Sequence, residues 1–332
     1  MTDRSVRSFQ PVPNLVSVVM ANFRGARYLE AAMRSVLAQT HRKLELIVSD
    51  DASDDDSCAI VENLAARDPR IRLIEAQFQG GPARVRNLAL AAARGEWIAI
   101  VDSDDLLEPD RLSAMLEAAD ALNANIVADD MVPFGDVAGA TETMFGDTLT
   151  SGQRIISAID MITSEWPDSP QTPLGYLKPV IHRTALGALR YDETLRNGED
   201  FDLYLRLLLG GARFALIPQA SYHYRRHSAA ISHRLSVDVL KPLLEAHDRL
   251  VRQQSDAPPK IAKLLRKRRV RLVRSLRYAR LVRAIKSGNA RQALLLLGKH
   301  PVLVSDLVES LRDRRKRSQA RLRQSSGESS SR

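Results

Sequence analysis

The sequence predicts an α/β protein, a doubly wound and mostly parallel sheet followed by a strongly basic helical region. Three observations carry this. Apolar strand-like runs alternate with helically spaced apolar residues from Leu15 to Val101. Those runs end in polar or acidic residues, which places chemistry at the carboxyl ends of the strands. Charge is also split along the chain. From Pro258 to Arg332 there are 22 Lys and Arg against 4 Asp and Glu, net +18, which leaves residues 1–257 at net −9.

The elements follow in order. Leu15–Ala21 (LVSVVMA) is a strand apolar on both faces, as buried parallel strands are. Asn22–Gly25 is the turn after it. Ala26–Gln39 repeats Leu29, Ala32, Met33, Val36 and Leu37 at helical spacing. Leu44–Val48 is the second strand and ends in the polar turn Ser49-Asp-Asp-Ala-Ser53. Ser53–Arg67 is a helix, Ile71–Glu75 a short strand, Gln79-Gly-Gly-Pro82 a loop and Pro82–Arg94 a helix. Trp97–Val101 is a buried strand that runs into Asp102, Ser103, Asp104 and Asp105. Three carboxylates this close oppose one another's ionisation unless a cation or a donor network compensates. A hard divalent ion with oxygen ligands is the usual compensator.

Leu112–Leu122 is expected to be a helix and Asn125–Met131 a strand. From Val132 to Pro179 the pattern loosens. A helix over Gly152–Ile162 and a loop bearing Trp166, Pro167, Pro170, Pro173 and Tyr176 suit an acceptor-binding excursion or a plain surface one. A short helix over His182–Leu189 follows. Asn197-Gly-Glu-Asp200 then opens an amphipathic helix over Phe201–Leu209, where the carboxylates suit either the helix dipole or a general base. Phe214–Pro218 is a strand, followed by the basic, aromatic stretch Ser221–His227 and by Ile231-Ser232. Prolines at 258 and 259 mark a break where the charge changes sign.

The single cysteine, Cys58, excludes an intrachain disulfide. Nothing at the N-terminus has the form of a signal peptide, and no apolar run is long enough to span a bilayer, so a cytoplasmic protein is expected. A dinucleotide-binding unit is disfavoured because Ala21-Asn-Phe-Arg-Gly25 lacks the G-x-G-x-x-G spacing. Without that loop a diphosphate needs a metal. Asn22, Asp50, Asp51, Asp102 and Asp104 all lie just past strand ends and are expected to share one crevice.

The order of motifs is distinctive. Val-Ser-Val-Val-Met-Ala-Asn-Phe is followed by Val-Ser-Asp-Asp-Ala-Ser-Asp and Gly-Gly-Pro-Ala-Arg-Val-Arg-Asn. Gly-Glu-Trp-Ile-Ala-Ile-Val-Asp-Ser-Asp-Asp and Gly-Glu-Asp-Phe-Asp complete the series. This resembles the bacterial family-2 glycosyltransferases, inverting enzymes of the GT-A fold, over residues 14–232. Within that family it looks most like enzymes of exopolysaccharide assembly of the succinoglycan type. The resemblance implies a transferase domain with a donor half (14–131) and an acceptor half (132–235); outside it the residue pattern suggests a flexible N-terminus (1–13), a basic helical region (236–324) and a disordered tail (325–332).

The resemblance also implies roles. Asp51 accepts the N3–H of uracil, with Asn22 and the backbone at Ala21 bordering the base. Arg86, with Arg84 nearby, approaches the nucleotide. Asp104 binds the divalent cofactor, Mn²⁺ or Mg²⁺, and Asp102 reaches the ribose or the metal. Asp105 holds the turn or the donor sugar. Asp200 is the catalytic base and Glu199 its orienting neighbour, while Arg225 and His227 meet the diphosphate. The expected reaction moves a hexose, by family frequency glucose, from a UDP-sugar to a hydroxyl of a polyprenyl-diphosphate-linked oligosaccharide. Ala52 stands where glycine is frequent, which is tolerated unless the turn requires a positive φ.

The alternatives are a nucleotide-sugar-binding protein without transferase activity, which an intact Asp200 disfavours, or another metal-dependent nucleotide-processing enzyme. A nucleotidyltransferase would need an early Gly- and Lys-rich triphosphate loop, which is absent. For the tail, Lys260–Lys286 reads as a basic amphipathic helix, with short helices over Ala290–Leu297 and Val302–Leu311. It suits peripheral attachment to an anionic membrane surface, a packed helical bundle, or nucleic-acid binding; the absence of an aromatic stacking platform disfavours the last.

Overall fold

The computed structural model describes residues 10–136, 142–146, 149, 152–227, 236–254, 256–308, 310 and 312. The chain divides into two compact units, Met1–His233 with Gln253–Leu264, and Arg234–Arg252 with Leu265–Arg332.

The first unit is built on strands β1 (Val12–Asn22), β2 (Leu44–Asp50), β3 (Ile71–Glu75), β4 (Gly95–Asp102), β5 (Leu106–Leu107), β6 (Ile126–Gly135), β7 (Arg154–Ile156), β8 (Val180–His182) and β9 (Phe214–Arg226). They join in the order β3-β2-β1-β4-β8-β6-β9-β5, with β7 also on β9. β1 to β4 pair in parallel, and so do β6 and β9; β8 is antiparallel to both β4 and β6. Helices α1 (Ala26–Leu37), α2 (Ser57–Ala65), α3 (Pro82–Ala92) and α4 (Arg111–Leu122) follow successive strands. α5 (Ala158–Ser164), α6 (Arg183–Leu186) and α7 (Glu199–Leu209) complete the unit.

β1 is central because it is apolar on both faces: Val16, Val18, Val19 and Met20 are wholly buried. Its register fixes the crevice. Ala21 lies beside Ser49 on one side and Asp102 on the other, and Asn22 lies beside Asp50.

Several elements differ from expectation. β1 starts at Val12, inside the stretch expected to be flexible. The helix expected over Gly152–Ile162 is a short strand, β7, followed by α5, which begins at a Ser157–Asp160 capping box. The helix expected from His182 is preceded by β8, inserted between β4 and β6. Phe214–Pro218 and Ser221–Arg226 form one strand. The pairing of β9 with β6 jumps from Asp129↔Ile217 to Met131↔Tyr222, so Pro218 falls in a bulge, where a missing N–H is tolerated. Residues 1–9, Ile231-Ser232 and 325–332 lie outside the described residues.

In the second unit, α8 (Val237–Gln253) and α9 (Pro259–Lys286, in part) run antiparallel. Asp238 meets Arg283 at 2.5 Å and Asp248 meets Arg269 at 2.7 Å. α10 (Ala290–Lys299) and a helical stretch over 302–308 close a small core of Leu281, Ala284, Ala293 and Leu303. The apolar positions of α9 are buried on two different sides, Leu265 and Leu276 on one and Leu281 and Ala284 on another. Of the expected apolar face, Leu265 and Leu276 are buried and Ile261, Leu264, Leu272, Ala279 and Val282 partly so, while most of the helix's Lys and Arg side chains, Arg268 excepted, are exposed.

Candidate active site

The acidic turn after β4 holds three aspartates in three different environments. Asp102 accepts from Arg86 Nη2 at 2.7 Å through Oδ1 and from Lys178 Nζ at 2.9 Å through Oδ2. Burial alone would raise its pKa, but the two cations hold it well below the usual carboxylate range. Asp105 is buried and accepts from Tyr222 Oη at 2.6 Å and from the Arg225 backbone N–H at 2.7 Å. Burial and its two acidic neighbours push it well above that range. It binds β9 to the turn.

Asp104 is the most exposed of the three, at 34% of its side chain, and its Oδ2 lies 3.0 Å from His227 Nε2. Burial and Asp102 raise its pKa. The turn is clamped by Arg225, whose Nε donates to the Asp104 carbonyl at 2.6 Å. The Arg225 guanidinium is held over the rings of Tyr28 and Phe134, 4.3 Å from each centroid. Arg225 thus supports the turn rather than standing open in the crevice.

These donors fit a divalent cation. A carboxylate beside an imidazole nitrogen offers one hard and one borderline ligand. Both oxygens of Asp102, expected as a second ligand, are bonded to Arg86 and Lys178, so Asp104 and His227 are the pair in position. Among the described residues no group of three His, Cys, Asp or Glu forms a complete cage. A cation here would take its remaining ligands from oxygens of the bound nucleotide and water, the habit of Mg²⁺ at phosphates.

Asp51 sits at the end of β2, 5% exposed. Its oxygens accept from the backbone N–H groups of Gly80 at 2.6 Å and Gly81 at 2.8 Å. Gly81 has φ +85° and caps α3, so a glycine is what lets its N–H turn to the carboxylate. Asn22 donates from Nδ2 to Asp50 at 2.7 Å, and its buried Oδ1 has no partner among the described residues. Ala52 adopts φ +55°, so the turn does require the left-handed region and alanine is strained there.

Asp200 and Glu199 are the first residues of α7, aimed by Gly198 at φ +80°. Arg86, expected to face the nucleotide, is buried. It joins Glu199 Oε1 at 2.7 Å, Asp200 Oδ1 at 3.3 Å and Asp102. Burial and Asp200 raise the Glu199 pKa, against the pull of Arg86. Lys178, on no recognisable motif, bridges Asp102 and Asp200 with 2.9 Å to each. Burial opposes its charge, yet the two carboxylates raise its pKa above the ordinary lysine value. Its only sequence signal is its place just after the aromatic, proline-rich loop.

The crevice at the carboxyl ends of a β-α-β sheet, with an acidic turn facing a second carboxylate pair, defines a nucleotide-diphospho-sugar transferase of the GT-A type. The family model described as glycosyl transferase family 2 matches residues 17–153. Succinoglycan biosynthesis protein ExoO of Rhizobium meliloti (strain 1021) is 35% identical over 282 residues, covering 84% of this chain and 80% of that one. Succinoglycan biosynthesis protein ExoU of the same organism is 32% identical over 255 residues, covering 74% and 72%. The chain belongs to glycosyl transferase family 2. Two solved structures share the fold. S. aureus TarS 1-349 in complex with UDP has a TM-score of 0.57 at 18% identity, covering 80% of this chain and 70% of that one. The mannosyltransferase PcManGT of Pyrobaculum calidifontis, in complex with GDP-Man and Mn²⁺, has 0.54 at 18% identity, covering 87% and 80%.

Proposed function

We propose that this protein is an inverting hexosyltransferase. It moves a sugar, glucose in the simplest reading, from UDP to a hydroxyl of a lipid-linked oligosaccharide during assembly of a succinoglycan-type exopolysaccharide. The two succinoglycan biosynthesis relatives support the pathway, and the nucleotide complexes of the shared fold support the donor class.

The observation that carries the reaction is the pairing of Asp200 with Asp102 through Lys178 and Arg86. It links an acceptor-side carboxylate to the donor-side turn. Asp200 takes the proton of the acceptor hydroxyl. The hydroxyl oxygen bonds to the anomeric carbon, and the bond from that carbon to the diphosphate breaks, its electron pair leaving with UDP. One base without a protein nucleophile gives a single displacement and inversion. Asp104 and His227 would hold the divalent cation, whose contribution when bound would be to neutralise charge on the leaving diphosphate. Asp51 and Asn22 receive the base, and the basic C-terminal helices meet an anionic membrane surface on the cytoplasmic side. Among the described residues no helix is long and apolar enough to cross a membrane.

The test is Asp200→Asn. UDP affinity by calorimetry should stay near wild type while transfer falls about 10²- to 10⁴-fold, the usual range for loss of a general base. Activity near wild type would mean that Asp200 is not the base.

A further inference from the structure

A carboxylate can serve as base only if one of its oxygens is presented to the acceptor, and misplacement by about 1 Å can lower a rate 10²-fold. Asp200 is held chiefly by Lys178. The ammonium meets Oδ2 at 2.9 Å, whereas the Arg86 contact to Oδ1 is 3.3 Å. Lys178 is 6% exposed and lies at the same distance from Asp102. A buried ammonium is expensive to desolvate unless it is paired, so its place is a built one.

The backbone around it is built too. Three successive carbonyls are tied down, two of them to the elements that carry the bridged carboxylates. The Leu177 carbonyl accepts from Tyr204 Oη at 3.0 Å, and Tyr204 lies on α7, one turn after Asp200. The Pro179 carbonyl accepts from the Ile100 N–H at 3.1 Å, two residues before Asp102 on β4. The Lys178 carbonyl accepts from Arg111 Nη2 at 2.5 Å. Arg111 is fully buried and ion-paired at 2.7 Å with Asp129, which also accepts from Ser221 Oγ at 2.8 Å.

We infer that Lys178 is the positioning residue of the base. It fixes Oδ2 of Asp200 against the donor-side Asp102, so that Oδ1 receives the acceptor's proton. A lysine suits this role because its compact ammonium, with three donors, can donate to two carboxylates at once. The inference rests on the assignment of Asp200 as base.

A double-mutant cycle in the full chain tests it, with UDP release from UDP-glucose, or from whichever UDP-hexose the wild type turns over, as the rate. Lys178→Met should lower kcat about 10- to 100-fold and leave the Kd for UDP and the donor KM within a few-fold of wild type. In an Asp200→Asn background the same change should lower kcat no further, because it acts through the missing carboxylate. Lys178→Gln, which keeps a donor without the charge, is the companion if Lys178→Met fails to fold. A wild-type kcat in either variant, a full additional loss on top of Asp200→Asn, or a collapse of UDP binding would overturn the inference. Wild-type activity of Asp200→Asn alone would instead remove the base on which it depends.

Discussion

Ala52 adopts φ +55° in the turn that carries Asp51. An L-residue in this region crowds its Cβ against the following carbonyl, which costs about 1–2 kcal/mol, whereas glycine does not have that clash. Glycine loses part of the advantage through its freer unfolded chain. Ala52→Gly is expected to stabilise the first unit by about 1 kcal/mol, measured as a shift of its denaturant midpoint at unchanged slope. A lower midpoint would show that the methyl group has a packing role that outweighs the strain. The acidic turn teaches the same lesson. Asp102, Asp104 and Asp105 look alike in sequence, but one is paired with cations, one faces His227 and one is buried against Tyr222. Sequence could identify the carboxylates. The family resemblance gave them different roles, but the residue pattern alone did not, because their partners come from Arg86, Lys178 and β9, which are distant in the chain.

The elements that could be read from the chain are those with a strong period or a continuous apolar run, chiefly β1 to β4 and their helices. β8 was hidden because three residues carry no period, and β9 because Pro218 imitates a strand end. α8 went unread although Leu240, Leu243, Ala246, His247 and Leu250 trace a buried stripe at helical spacing. His247 sits in that stripe with its Nδ1 3.0 Å from Arg268 Nη1. Burial, and then the Arg268 charge, lower its pKa from 6.5 to about 4, with Asp248 opposing. The folded state therefore keeps a neutral imidazole while the unfolded chain protonates near its ordinary value. Stability is whole above pH 6.5, falls as the pH drops towards 4, and levels off below that. The loss should reach at most about 3 kcal/mol. Denaturant unfolding of the second unit between these pH values should show it, and His247→Gln should flatten the dependence. An equal slope in the variant would assign the effect to other groups.

At the scale of the whole chain the charge split has a physical consequence. α9 carries twelve Lys and Arg and no Asp or Glu. Because Leu265, Leu276 and Leu281 are buried, the helix offers water a basic stripe rather than an apolar face. Arg266, Val270, Arg277 and Arg280 lie on one exposed side, with Val270 68% exposed. The proposed attachment to a membrane is therefore electrostatic rather than insertive, worth about 1 kcal/mol for each basic residue near an anionic surface. It should be screened as the Debye length falls from about 10 Å at 0.1 M salt to about 3 Å at 1 M. The full chain is expected to float with vesicles rich in anionic phospholipid at low salt and to be released at high salt. It should ignore vesicles of neutral phosphatidylcholine, and the triple change Arg266→Glu, Arg277→Glu and Arg280→Glu should abolish flotation without altering UDP binding. Salt-resistant binding to neutral vesicles would point instead to insertion of exposed apolar side chains such as Leu294 and Leu295 of α10. If duplex DNA competed the chain off anionic vesicles at stoichiometric amounts, the stripe would be reading phosphate density rather than a bilayer, and the membrane assignment would fall.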